Sequence, residues 1–145
     1  MLLQGERLDV RRFGGIMLIQ RADAYCCTSE AVLLANSVAV SSGDKVADLG
    51  AGSGIISVII AAKRGANVTA VEFQPWAADR TRRNAALNHP SDTTSVYDGE
   101  INGCGKDLPL FARAGSNPPS SLAARRTSPC PGTHHISRAQ SPRPP

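Results

Sequence analysis

Short apolar runs alternate with longer segments of helical spacing over the first hundred residues. Val46 to Leu49 is a strand-length run with β-branched character, and it ends in a cluster of three glycines, Gly50, Gly52 and Gly54. An apolar segment of helical period follows (Ile55, Ile56, Val58, Ile59, Ile60, Ala61), closed by Lys63, Arg64 and Gly65. A second strand-like run, Val68 to Val71, ends on the acid Glu72. Strand, glycine loop, helix, strand and acid make half of a doubly wound nucleotide-binding sheet.

The flanking pattern extends that unit in both directions. Gly14-Gly15 marks a turn before Ile16–Ile19, a short strand that can pair as a hairpin arm with Leu8–Phe13. Residues 28–39 read as a helix: Thr28 or Ser29 can cap it, and Ala31, Val32, Leu33, Leu34, Ala35 and Val38 supply its apolar stripe. Ser41 to Asp44 is a loop. Pro75 opens a further helix to about Leu87, packing through Trp76, Ala77, Ala78, Ala85 and Ala86 with Arg80, Arg82 and Arg83 toward solvent. Residues 93–97 form a third strand leading into Asp98-Gly99-Glu100-Ile101.

From about Gly103 the pattern stops. Gly, Pro, Ser and Arg dominate and no aromatic residue follows Phe111. Such a segment cannot bury enough apolar surface to offset its ordering entropy. The pattern therefore predicts an α/β domain over residues 1–107 and a disordered tail over 108–145, with Asn117-Pro118-Pro119 its one point of interest.

Charge sharpens this division. The chain has 145 residues and a formal charge of +4, which alone would suggest a nucleic-acid partner. All twelve acids lie at or before Asp107, however, and residues 108–145 carry five Arg and no acid. The basicity belongs to the tail. With 41% hydrophobic residues, the chain can bury a core. It contains no run of eighteen apolar residues and no basic-then-apolar leader, so neither a membrane span nor a secretory signal is expected. Cys26, Cys27, Cys104 and Cys130 include no CxxC pair, and adjacent cysteines bond each other poorly; reduced thiols in the cytoplasm are the simplest reading. His134-His135 has no acid nearby, so no metal is expected.

Glycines suit a loop that turns sharply from strand to helix and lets a ligand approach the main chain. An acid ending the next strand can accept two hydrogen bonds from a ribose diol, and Glu72 stands there. A dinucleotide frame, G-x-G-x-x-G, fails from Gly50 because its last position is Ile55; from Gly52 it ends on the small residue Ser57 and leaves Asp48 without a role. The frame acid-x-G-x-G-x-G is met by Asp48, Gly50, Gly52 and Gly54, and suits S-adenosylmethionine, whose methionine part is cationic. A tight turn with no ligand is the bland alternative.

The flanks of the loop carry a resemblance. Glu6-Arg7-Leu8-Asp9, the Ala31-Val32-Leu33-Leu34-Ala35 helix, Val71-Glu72-Phe73-Gln74 and Arg82-Arg83-Asn84-Ala85-Ala86-Leu87-Asn88 together resemble the bacterial tRNA adenine-N6 methyltransferases that act on adenine-37 of valine tRNA. The resemblance covers about residues 5–101 and implies the class I, Rossmann-like methyltransferase sheet, S-adenosylmethionine as cofactor and tRNA as substrate. By the same resemblance, Asp48, Gly50, Gly52 and Gly54 hold the methionine and ribose portions, Glu72 the ribose hydroxyls, and Asp98 or Glu100 the adenine. Asn117, Pro118 and Pro119 would be the Asn-Pro-Pro motif that positions the target amine, although Ser120 stands where that family has an aromatic residue. The alternative is a fortuitous Asn-Pro-Pro in a proline-rich tail. Only 26 residues follow Pro119, too few for the remaining strands of such a sheet, which suggests a truncated or frame-shifted product. The alternative to an enzyme is then an inactive fragment keeping part of the cofactor site, or a relative with a protein or small-molecule substrate.

Overall fold

A computed structural model describes residues 2–10, 14–21, 23, 26–102 and 108–118. Phe13, Cys104, Pro119, Cys130, His134 and His135 lie outside the described residues. In chain order the elements are β1 (Glu6–Val10), β2 (Met17–Arg21), α1 (Ser29–Ser37), β3 (Lys45–Leu49), α2 (Ile55–Arg64), β4 (Asn67–Glu72), α3 (Pro75–Leu87), β5 (Thr94–Asp98) and β6 (Arg113–Ser116). β1 and β2 form an antiparallel hairpin, with Leu8 opposite Ile19.

The central sheet has the order β5-β4-β3-β6, and all its pairings are parallel. Two successive crossovers, through α2 and α3, step from β3 to β4 to β5. Right-handed connections stepping the same way put both helices on one face, where α2 and α3 touch each other and β4 and β5. The chain then returns to the far side of β3 as β6. That reversal makes the junction of β3 and β6 a topological switch point, whose crevice lies beyond the carboxyl ends of the two strands. The expected α/β, mainly parallel, doubly wound half-sheet is present.

Helix α2 is buried on every side over its first two turns, Ile55 through Ala61, and is apolar there except at Ser57. It fits because it lies between layers: the core joins its Val58, Ile59 and Ile60 to Val46 and Val68 of the sheet, Ala31, Val32 and Ala35 of α1, and Ile16 and Leu18 of the hairpin. Each such Val or Ile contributes about 1.5–3 kcal/mol relative to an exposed one. Gly65, in the left-handed region at φ 66°, ends the helix by donating its N–H to Ala61 O, and Lys63 and Arg64 sit favourably at the negative end of the dipole. Thr28 caps α1, accepting the N–H of Ala31, and Pro75 starts α3 where no helical N–H is needed.

Several expectations change; Leu33 and Trp76, expected to pack, are exposed. Arg80 does not face solvent: it is 2% exposed, with its guanidinium 4.9 Å from the Trp76 ring centre and its Nε 3.7 Å from Glu6. Helical spacing placed it on the polar side, but the hairpin packs over that side of α3. Residues 113–116 lie inside the segment expected to be disordered, yet they pair in parallel with Val46–Leu49. An apolar run is needed only where both faces of a strand are covered; β6 is largely exposed, and its place rests on main-chain bonds such as Ala112 N–H to Lys45 O at 2.8 Å. Finally, Cys26 is disulfide-bonded, where reduced thiols were expected.

Candidate functional site

The glycine loop lies at the carboxyl end of β3, in the switch-point crevice. Its first two amides fold back over the neighbouring strand, Gly50 N–H and Ala51 N–H both donating to Val71 O at 2.8 and 3.1 Å. Gly50 and Gly52 have φ of 74° and 60°, and a Cβ on either would meet no atom within 4 Å. These two glycines border open space. Gly54 differs, because a Cβ there would lie 2.5 Å from Thr81 Cγ2. Its role is to let α3 close on the start of α2, a division of labour that sequence spacing does not reveal.

Glu72 ends β4 with its carboxylate turned to the loop. One oxygen accepts the Gly52 N–H at 2.9 Å and the other the Gln74 N–H at 3.0 Å. A carboxylate offers about four acceptor sites, so two are left for a ribose diol.

Asp48 lies deeper. Its Oδ2 accepts both the N–H and the hydroxyl of Ser57, at 3.1 and 2.6 Å, which ties the end of β3 to the first turn of α2. Its Oδ1 is buried with no hydrogen-bond partner. Burial pushes the carboxyl up to about 6, against the Ser57 bonds that favour the anion and with a further push from the Glu72 charge. An open cradle over Gly50 and Gly52, a carboxylate with spare acceptor capacity and an unmet buried acceptor beneath the loop fit a ligand with a ribose and a cationic end.

Asp98 and Glu100 separate in the structure. Asp98 stands beside Glu72 in register, and its carboxylate holds Arg82 at 2.6 Å. Glu100 lies exposed beyond the end of β5. Asn117 and Pro118 follow β6 directly, and because Leu49 pairs with Ser116, Asn117 comes level with Gly50 across the switch point. The structure thus brings Asp48, the loop, Glu72 and Asn117 to one end of the sheet.

Three contributors were not foreseen. Ser57 anchors Asp48; Thr81 donates its hydroxyl to Gly52 O at 3.1 Å; and Asn84 donates its amide to Ser53 O at 2.8 Å. Asparagine inside a helix is the one sequence signal that could have flagged the last, since Asn is a poor helix former without a tertiary partner. Elsewhere, a cavity of about 250 Å³ lies at the opposite, amino end of the strands, lined by Lys45, Asn67, Thr94 and Phe111 among others. Among the described residues there is no cluster of three or more metal-ligating side chains and no helix long and apolar enough to cross a membrane.

Comparison with known proteins agrees with this geometry. The family model of ribosomal protein L11 methyltransferase (PrmA) matches residues 27–107. The ribosomal protein L11 methyltransferase of Bacillus velezensis is 42% identical over 62 residues, 43% of this chain and 20% of that protein. The tRNA1(Val) (adenine(37)-N6)-methyltransferase of Shewanella amazonensis is 33% identical over 73 residues, 50% of this chain and 31% of that protein. The chain thus covers less than a third of either relative. Among solved structures, P. horikoshii TYW2 in complex with MeSAdo superposes with a TM-score of 0.62 at 24% identity, over 77% of this chain and 42% of that one. The C-terminal domain of precorrin-6Y C5,15-methyltransferase from Rhodobacter capsulatus gives 0.60 at 22%, over 71% and 56%. These last two establish the fold. The match over residues 27–107 takes in more than half of the chain, which therefore belongs to the ribosomal protein L11 methyltransferase (PrmA) family, a class I methyltransferase family whose cofactor is S-adenosylmethionine.

Proposed function

We propose that this chain binds S-adenosylmethionine in the β3–β6 crevice and serves methyl transfer to the exocyclic amine of an adenine in tRNA, in the cytoplasm. The observation that carries the reading is the position of Asn117 and Pro118, level with the glycine loop at the carboxyl end of β6. In this reading Glu72 holds the ribose hydroxyls, Gly50 and Gly52 admit the ligand to the main chain, and Asp48 faces its cationic end with the acceptor that is unmet. Glu100 is the better of the two candidates for the adenine, because Asp98 is engaged by Arg82.

The cofactor supplies an electrophilic methyl group on a sulfonium. The chain's part is positioning: Asn117 Oδ1 and the Pro118 main-chain carbonyl accept the two protons of an amine, which turns the nitrogen lone pair toward the methyl group. An arrangement of this kind needs no covalent intermediate. The N–C bond forms as the C–S bond breaks, and the nitrogen then loses a proton.

A second reading has a specific observation behind it. The family match, and the 42% identity to the Bacillus velezensis enzyme, favour ribosomal protein L11 as the acceptor. A third is a chain that binds cofactor and transfers nothing.

One experiment separates them. The purified chain is titrated calorimetrically with S-adenosylmethionine, and then incubated with methyl-labelled cofactor and either tRNA or L11. Binding with label on tRNA, abolished in Asn117→Ala, supports the proposal. Label on L11 supports the second reading, and binding without transfer the third. Absence of binding sinks all three.

A further inference from the structure

Helix α3 carries a polar strip that the cofactor reading does not use. Asn84 is completely buried, and its side-chain amide makes three hydrogen bonds. Its Oδ1 accepts the Ile19 N–H at 2.7 Å, and its Nδ2 donates to Ile19 O at 3.2 Å and to Ser53 O at 2.8 Å. One turn on, Asn88 repeats the first part: Oδ1 accepts the Met17 N–H at 2.9 Å and Nδ2 donates to Met17 O at 2.7 Å. One turn before, Thr81 donates its hydroxyl to Gly52 O.

The spacing explains why it works. Residues four apart on a helix rise about 6 Å, and residues two apart on a strand rise about 6.6 Å. Asn84 and Asn88 therefore match Ile19 and Met17 along the edge of β2 that faces away from β1. Their amides close that edge as a neighbouring strand would. The same helix face holds two successive carbonyls of the glycine loop, at Gly52 and Ser53. Asn84 belongs to both contacts.

Resting on the reading that this loop binds S-adenosylmethionine, we propose that Asn84 is a positioning residue that couples docking of the N-terminal hairpin to the shape of the cofactor loop. Asn88 supports the hairpin only, and Thr81 the loop only. A bond to Ser53 O fixes the Ser53–Gly54 peptide plane, whose N–H closes the loop on Ala51 O at 2.8 Å, so Asn84 helps set the shape of the loop. Coupling of this kind is reciprocal: cofactor binding steadies the hairpin to the same extent that hairpin docking favours cofactor.

The test compares Asn84→Asp, Asn88→Ala, Thr81→Val and Thr81→Ser in the full chain, under conditions where urea titration shows each to be folded. Asn84→Asp keeps an acceptor for the Ile19 N–H and removes the donations to Ser53 O and Ile19 O. Amide hydrogen exchange is read at residues 50–54 and 17–21, with and without S-adenosylhomocysteine. Without ligand, Asn84→Asp is expected to speed exchange about tenfold in both segments, Asn88→Ala in the hairpin alone, and Thr81→Val in the loop alone, with Thr81→Ser like the parent. Equal exchange at residues 50–54 in Asn84→Asp and Asn88→Ala would overturn the coupling whether or not ligand binds. Should the parent chain bind no S-adenosylhomocysteine, the cofactor reading fails while the exchange data still decide the coupling. If it does bind, Asn84→Asp should weaken affinity about tenfold and Asn88→Ala less than twofold; equal losses would also overturn it. Where Asn84→Asp does not fold, the Thr81→Val and Asn88→Ala pair, with ligand-induced protection at 17–21 in the parent, reads the same coupling, and absence of that protection on binding overturns it.

Discussion

The carboxylate of Glu72 accepts the main-chain N–H of Gly52 at 2.9 Å, joining the end of the second central strand to the tip of the glycine loop. Its other oxygen accepts the Gln74 N–H at 3.0 Å. Both oxygens must therefore be acceptors. Glu72→Gln puts an NH2 group against one of the two donors, whichever way the amide turns. The expected cost is about 1–3 kcal/mol of stability, with S-adenosylmethionine affinity lowered at least tenfold by calorimetry. Unchanged affinity in a folded Glu72→Gln chain would show that this acid does not serve the ligand.

The three loop glycines should answer differently to alanine. At Gly50 and Gly52 the left-handed backbone costs about 1–2 kcal/mol, but the added methyl meets nothing in the protein. Stability should fall modestly while ligand binding is lost, because the methyl fills the cradle. At Gly54 the methyl meets Thr81, and a larger loss of stability should come first. Chemical unfolding paired with calorimetry on the three variants checks this. Binding retained in Gly50→Ala and Gly52→Ala would mean that these glycines only make a turn.

Asp48 predicts an unusual pH dependence. Its carboxyl is raised from 3.8 to about 6 in the folded chain, mainly by burial. A raised acid contributes stability that is full below the unfolded value and lost as pH rises through the folded one. Glu6 acts in the opposite sense and elsewhere: Arg83 holds it at about 2, so its contribution is full above about 4.5 and lost only in stronger acid. Between pH 5 and pH 7 the Asp48 contribution should dominate, and stability should fall by about 1 kcal/mol at roughly 1.4 kcal/mol per pKa unit. Urea titrations at the two values, with Asp48→Asn as control, measure it. A flat profile in the parent, or the same slope in the variant, would contradict the assignment.

The hairpin should depend on Glu6. Its side chain is 2% exposed and takes two hydrogen bonds from Arg83, at 2.7 and 2.8 Å, with Arg80 at 3.7 Å. Removing one partner of a buried pair strands the other, at a cost of about 3–5 kcal/mol where burial is complete. Because Arg83 is partly exposed and keeps Asp79, Glu6→Ala is expected nearer 2 kcal/mol in urea titration. A loss below about 0.5 kcal/mol would place this pair with ordinary surface ion pairs.

Period and punctuation determined much of the fold by themselves. The β3-α2-β4-α3-β5 order follows from apolar runs of strand length, a helical repeat between them, and Gly or Pro at the breaks, all of which are local. The loop and Glu72 were legible for the same reason: a glycine that must hold φ near 60–75° and an acid at a strand end leave their mark at fixed spacing. Only the tertiary structure decided the rest. Arg113–Ser116 has no strand-like pattern, and pairs because β3 offers it a free edge. Arg80 reads as a surface charge until the hairpin covers it. Gly54 and Gly50 look alike in sequence, and differ because Thr81, twenty-seven residues on from Gly54, packs against one and not the other. Local conformation is written in neighbouring residues; which surface is covered, and by what, is set by contacts between residues far apart in the chain.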